Sequence, residues 1–298
     1  MSDHRLFGRP IEWAGVGRGT LLTRLNKLGW VDSNRLLPGK AGASDDEIRT
    51  ALTAYQVFHG LENTDGYLDE ATIASINATR YCGLSDRMAM TTNLARWGKK
   101  DLKWCFQVPN WPIIGTQAAI AAYAQAFQFW ADVADIHPSQ TNDPNSADII
   151  VTVGAIDGPY GVLAYSQLPG PGTMSKLSML FDEAEPWTVS NPTPQNQIDI
   201  VRVFAHELGH NLGLSHLPGS NLMAPIYSPS ISHPQNQDLT EIRSRYGPSL
   251  ASTAPVPAPS PVAQQPTSQP GATIVVGIEV AGTITRLSIP GWTATRNS

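Results

Sequence analysis

The stretch from His206 to His216 constrains this chain more than any other, because it gathers three of the seven histidines into His206-Glu-Leu-Gly-His210-Asn-Leu-Gly213-Leu-Ser-His216. His206 and His210 stand four apart, so on a helix both rings leave the same face one turn from each other and can reach one tetrahedral zinc. A helix continuing through position 213 carries His216 away from that face. Gly213 can instead take a left-handed conformation, end the helix and return the chain toward the metal. Three neutral imidazoles leave a fourth position open for water, the arrangement of a catalytic zinc. Such a water has a pKa of about 7, and Glu207 is placed to accept its proton and later pass it to a leaving amine. The spacing predicts peptide-bond hydrolysis without an acyl-enzyme. Histidines that only cap a helix, or that hold a structural metal, have no use for a carboxylate in this register.

At 298 residues the chain exceeds the usual single domain, so one main unit and a smaller one are expected. The net charge of -5, with mixed signs and no basic run, argues against nucleic acid or an anionic membrane as partner. No apolar run approaches the roughly 18 to 20 residues of a membrane helix, so a soluble protein is expected. Met1 to Trp13 has no basic segment followed by an apolar one, hence no standard secretory signal is visible. Two cysteines, Cys82 and Cys105, allow one bridge or two free thiols.

Periodicity divides the chain. Leu21, Leu22, Leu25 and Leu28, then Ile48, Leu52, Tyr55 and Phe58, then Leu68 to Ile76 predict three short helices, a compact module within residues 1–89. Residues 90–247 mix periods. Strands are predicted at Leu102 to Val108, Asp148 to Val153, Gly161 to Ser166 and Met179 to Asp182, with helices over Gln117 to Ala134, Asn196 to Leu212 and Asp238 to Tyr246. The fold class is α+β: a small mixed twisted sheet with two long helices and a C-terminal helix. Residues 248–271 are rich in Pro, Ser, Ala and Gln and read as a linker, and 272–298 as a short β-rich tail.

The histidine segment resembles the zinc signature of metzincins, which is completed by a methionine turn. Ser220-Asn-Leu-Met223-Ala-Pro225-Ile-Tyr227 follows at short range and is similar to that turn in matrixins, the matrix metalloproteinase branch. The likeness extends over most of residues 90–247, through Trp97-Gly-Lys-Lys-Asp-Leu102, Asp157-Gly-Pro-Tyr-Gly-Val-Leu-Ala-Tyr165 and Phe181-Asp-Glu-Ala-Glu185-Pro-Trp187. It implies that Met223 underlies the metal and that Pro225 to Tyr227 wall the primed-side specificity pocket, whose depth Arg202 influences; a shallow pocket is expected. It implies a calcium held by Asp157, Asp182 and Glu185 with the carbonyls of Gly158, Tyr160 and Val162, ligands suited to that hard cation. The strand Gly161 to Ser166, with Ala164 at its centre, would take substrate as an added antiparallel strand. Matrixins usually hold a second, structural zinc. Here its loop lacks histidine, and Tyr165 and Leu180 stand at two ligand places, so one zinc is expected.

The helical module resembles the peptidoglycan-binding-like propeptide of matrixins, through Ala51-Leu-Thr-Ala-Tyr55-Gln and Gly66-Tyr-Leu-Asp-Glu-Ala-Thr72. It ends in Arg80-Tyr-Cys82-Gly-Leu-Ser-Asp86, which looks like the cysteine switch, in which a thiolate fills zinc's open position. Tyr81 stands where the family's motif has arginine, and Arg80 sits one place earlier. The alternatives are a Cys82–Cys105 disulfide or an inert buried thiol. The resemblance implies a secreted, monomeric zymogen acting on proteins or peptides, released by an activating protease cutting between Asp86 and Trp97, with Arg87 and Arg96 as targets. Two other readings stand beside it: a cell-wall glycan binder or glycan-targeted hydrolase using residues 1–89, and a catalytically dead adhesion module, which Glu207 argues against.

Overall fold

The computed structural model describes residues 18–36, 42–86, 95–170, 176–250, 288–289 and 292–293. Three helices open it, α1 (Arg18–Lys27), α2 (Asp45–Phe58) and α3 (Glu70–Asn77), with a 3-10 turn at Ser33–Leu36. Ser44 caps α2: its hydroxyl accepts the Glu47 amide at 3.2 Å while the Glu47 carboxylate accepts the Ser44 amide at 2.7 Å. Asp69 caps α3 by accepting the Thr72 amide at 2.7 Å. Their apolar faces close on one another, with Leu25, Ile48, Leu52 and Tyr55 fully buried beside Trp30 and Leu68.

The chain then enters a six-stranded sheet of order β1-β5-β6-β4-β2-β3. Its strands are β1 (Arg80–Cys82), β2 (Asp101–Phe106), β3 (His137–Gln140), β4 (Ile149–Gly154), β5 (Val162–Ser166) and β6 (Leu177–Asp182). Only β5 runs antiparallel to β6; the other pairs, β1 with β5 included, are parallel. The helices α4 (Thr116–Ala131) and α5 (Ile200–Asn211) share one core with the sheet, and α6 (Asn236–Tyr246) closes it. Trp104, Phe106, Trp111, Tyr123, Phe181 and Phe204 meet there as edge-on and tilted rings, the geometry their quadrupoles favour. The Trp130 indole donates to the Ala205 carbonyl at 2.9 Å and locks α4 to α5.

Two expectations are corrected. The second long helix begins at Ile200 rather than Asn196, because Asp199 caps it through the Val201 amide at 2.9 Å and the preceding residues form β8 (Ile198–Asp199), paired with β7 (Trp187–Thr188). The sheet has two strands more than the four read from periodicity. His-Pro-Ser-Gln at β3 is a mostly exposed edge with no apolar alternation, and β1 pairs only because a groove receives it. The C-terminal unit, 254–298, is described only at β9 (Ser288–Ile289) and β10 (Trp292–Thr293), an antiparallel pair. Of the expected linker, residues 248–250 are described, with Pro248 bridged to Ala134 and Ser249 buried, so the packed chain runs slightly past the expected boundary. The rest of the linker and of the tail lie outside the described residues, as does Arg87.

Candidate metal centre and its latch

All twelve residues of α5 are buried, so His206, Glu207 and His210 sit beneath the surface on a helix that is packed all round. The helix stops where the sequence requires it. Gly213 takes φ +92°, and a Cβ there would meet the Ala95 carbonyl oxygen at 2.5 Å. His216 returns to the other two rings, and Cys82 arrives from β1, so the four candidate ligand atoms lie within 4.8 Å of one another. The Cys82 sulfur is 3.1 Å from His216 Nε2 and 3.5 Å from His210 Nε2, and the His206 and His210 Nε2 atoms are 3.1 Å apart.

The far sides of the His206 and His210 rings fix their tautomers. His206 Nδ1 faces the Leu222 carbonyl at 2.8 Å and His210 Nδ1 the Leu214 carbonyl at 2.9 Å, so these nitrogens donate and both Nε2 lone pairs face the cluster. His216 Nδ1 is buried without a hydrogen-bond partner. Burial, with repulsion among the rings, holds His206 and His216 well below the ordinary histidine value, and burial brings His210 down to about 4. All three are therefore neutral near pH 7, as metal ligands must be. Burial, with Glu207 adding to it, pushes the Cys82 thiol up, so a thiolate there calls for a cation in the cluster. Three imidazole nitrogens and one sulfur converging from four positions fit tetrahedral zinc.

Glu207 is fully buried, and neither carboxylate oxygen has a full hydrogen bond. Desolvation pushes it up to about 8, against a smaller opposing pull from the Ser166 hydroxyl, which also donates to the Glu207 carbonyl at 3.1 Å. Met223 is fully buried against Gly209. Its turn is held by a residue that periodicity did not single out: Asp238, in the first turn of α6, accepts the Leu222 and Met223 amides at 2.8 and 3.1 Å. Leu222 thus takes a carboxylate at its amide and the His206 ring at its carbonyl.

The cleft in front of the cluster is filled by the chain itself. β1 lies between β5 and the turn after Met223: Arg80 N donates to the Gly161 carbonyl at 3.1 Å, Gly83 N to the Ala164 carbonyl at 3.0 Å, and Tyr81 N to the Pro225 carbonyl at 3.0 Å. Cys82 stands opposite Ala164 in the parallel register, where substrate was expected to add antiparallel. Both cysteines are free and buried, so no bridge joins Cys82 to Cys105, which packs instead with Ala147 and Ile150. Arg80 still reaches Asp86 despite its shifted place, and the second Asp86 oxygen accepts the Trp30 indole at 2.8 Å and lies 3.1 Å from His59 Nε2. Trp30 and His59 were not foreseen, since nothing in their local pattern marks them.

The residues expected to hold calcium share one loop cluster. Asp182 accepts the Asp157 and Gly158 amides at 3.0 and 2.9 Å, and Asp157 accepts the Val162 amide at 2.9 Å. Both Glu185 oxygens are buried without a full hydrogen bond. Desolvation pushes Glu185 up to about 7; the Tyr160 and Gly161 amides oppose the rise, while Asp182 and Asp157 add to it. Tyr165 covers the Gly83 backbone so closely that a Cβ at 83 would overlap its ring. Tyr227 walls the cleft, its hydroxyl accepting the Asp199 amide at 3.1 Å, and Arg202 pairs with Asp199 at 2.9 Å.

Residues 96–247 match the profile of the matrixin family, and residues 15–76 that of the peptidoglycan binding domain. Similar proteins include human matrix metalloproteinase-19, 35% identical over 230 residues, 71% of this chain and 42% of that protein. Human matrix metalloproteinase-17 is 30% identical over 209 residues, 64% of this chain and 34% of that protein. Rat matrix metalloproteinase-16 is 30% identical over 234 residues, 69% and 38%. The chain thus spans 34% to 42% of the length of these relatives.

Proposed function

Because the chain belongs to the matrixin family, whose members imply zinc, we propose that it is a zinc endopeptidase held latent by its own N-terminal segment. The observation that carries this reading is the convergence of Cys82 with His206, His210 and His216 beside an unpartnered Glu207. Bound zinc supplies Lewis acidity and lowers the pKa of a water to about 7. Glu207 acts as the base: its carboxylate lies buried beside the histidine cluster without a full hydrogen bond that would spend its lone pairs, and a cation in the cluster would favour its ionised form. It takes the water's proton and returns it to the leaving amine. His206 and His210 are oriented by the Leu222 and Leu214 carbonyls, so the two nitrogens that would hold zinc are fixed relative to Glu207 by backbone rather than by mobile side chains.

In the latent form Cys82 occupies the place that the water needs, and β1 occupies the strand edge that an extended peptide needs. Residues 1–89 serve as the latch, 90–247 as the catalytic domain, 248–271 as a linker and 272–298 as a tail. Cleavage between Asp86 and Trp97 releases the latch. Calcium at Asp157, Asp182 and Glu185 neutralises the unpartnered carboxylate. Substrates are proteins or peptides outside the cell, by likeness to the relatives named above.

The test is hydrolysis of a quenched fluorescent peptide by the full chain before and after limited proteolysis, with Glu207→Gln and chelated controls. Activity should appear on processing and fall by about 10²- to 10⁴-fold in Glu207→Gln with zinc still bound. No hydrolysis by a processed, zinc-loaded chain would sink the reading. The match of residues 15–76 to a peptidoglycan binding domain favours a second reading, glycan targeting, which retention of the chain on insoluble peptidoglycan would support.

A further inference from the structure

The residue at which the switch-like motif departs from the family says most about what the released cleft accepts. Tyr81 is fully buried, and its ring lies flat on His206, with centroids 4.5 Å apart and planes 8° apart. Tyr227 meets the same ring edge-on at 5.1 Å. The Tyr81 hydroxyl donates to the Ser228 carbonyl at 3.4 Å. Beyond it, Arg202 pairs with Asp199 and donates to the Pro229 carbonyl. The slot therefore has two aromatic walls and a polar end, and it lies one residue along the strand from the sulfur at the metal cluster.

We propose that Tyr81 is a built-in occupant of a specificity slot, and that the unlatched enzyme selects peptides presenting an aromatic side chain, tyrosine ahead of phenylalanine, beside the scissile bond. This rests on the peptidase reading. When β1 leaves, the slot keeps its walls, because His206 is held by Leu222 and Tyr227 by Asp199. An aromatic side chain restores the stack, whereas alanine leaves a void and an aliphatic chain loses the flat contact with His206. A charged side chain would be desolvated at a slot end where Arg202 and Asp199 are already paired with each other, so it gains no free counter-ion there. The latch runs parallel to β5 while an added substrate strand runs antiparallel, yet the walls select a side chain and not a chain direction.

The test has two arms. In the first, peptides copying Thr79–Asp86 are titrated into zinc-loaded, processed Glu207→Ala chain freed of its N-terminal segment, so that binding is read without turnover. The peptide with tyrosine should bind at least about tenfold more tightly than the one with alanine at position 81, with phenylalanine between them. The cysteine is common to all of them, so the difference belongs to position 81. In the second arm, processed wild-type chain is given a peptide mixture varied on the amine side of the cleaved bond. Products beginning with tyrosine or phenylalanine should exceed those with alanine or leucine by about tenfold in kcat/KM. Equal affinity in the first arm overturns the proposal whatever the activity, as does cleavage without aromatic preference. An aromatic preference in binding with no cleavage supports the slot and counts against the peptidase reading alone.

Discussion

The Met223 sulfur occupies the space that a Cβ on Gly209 would need. Gly209 lies between His206 and His210 on α5, so the methionine turn packs against the helix backbone at its ligand-bearing turn, with Trp130 closing the other side. Gly209→Ala should therefore cost about 1–3 kcal/mol by overpacking, although alanine is the better helix former. It should also weaken zinc retention by displacing the turn that orients His206 through Leu222. Urea unfolding and metal analysis after dialysis check both. A variant as stable as wild type, with full zinc, would show that the turn tolerates displacement.

Asp86 fastens the latch to the helical module, taking Arg80, Trp30 and His59 on its carboxylate while its amide donates to the Leu28 carbonyl at 3.0 Å. Asp86→Asn should leave Arg80 a buried charge without its counter-ion, at about 3–5 kcal/mol. The expected signs are faster labelling of Cys82 by a thiol reagent and leak activity before any cleavage. Burial alone would raise the Asp86 pKa, but the His59 hydrogen bond and the Arg80 charge outweigh it and hold the group below its ordinary 3.8. A lowered folded-state pKa gives stability that is present above 3.8 and lost as pH falls through the folded value. Acid below about pH 4 should thus open the wild-type latch, whereas Asp86→Asn should show no such acid step.

Cys82 and β1 block the cleft by different means, the thiol at the metal cluster and the strand by backbone hydrogen bonds to Gly161, Ala164 and Pro225. Cys82→Ala should therefore unlatch the chain only in part. The uncleaved variant should show measurable activity that rises further, by about tenfold or more, when proteolysis removes the strand. Full activity before cleavage would mean that the strand leaves as soon as the sulfur is gone.

Much of the candidate site was legible because the chemistry demands fixed spacing. The four-residue step from His206 to His210 and the break at Gly213 follow from helix geometry alone, and the structure has both. The buried stripes of α2 and α5 were likewise visible as periodicity. What was not legible depends on partners distant in sequence. Nothing local in Trp30, His59 or Asp238 indicates that one pair holds Asp86 and the other residue the methionine turn. β1 has three residues and no alternation to read, since its pairing comes from the groove. Tyr81 read as a departure from a motif; its stacking on His206 gives that departure a physical content.

Glu185 presents two buried oxygens without full hydrogen bonds, close to Asp182 and Asp157. Two further carboxylates beside a desolvated one make its ionisation unfavourable unless a cation enters. Desolvation first, then those neighbours, push it from 4.5 up to about 7. For an acid whose folded pKa is raised, the folded state binds the extra proton between these values, so stability falls as pH rises from about 4.5 to about 7 and stays lower above that. Calcium should remove this loss by stabilising the ionised form. Thermal unfolding with chelator should then give a Tm that declines over that pH range, and millimolar calcium should restore it at pH 7.5. In Glu185→Gln the decline should vanish without calcium, and added calcium should raise Tm little. An identical calcium response in wild type and Glu185→Gln would place any bound cation elsewhere on the chain.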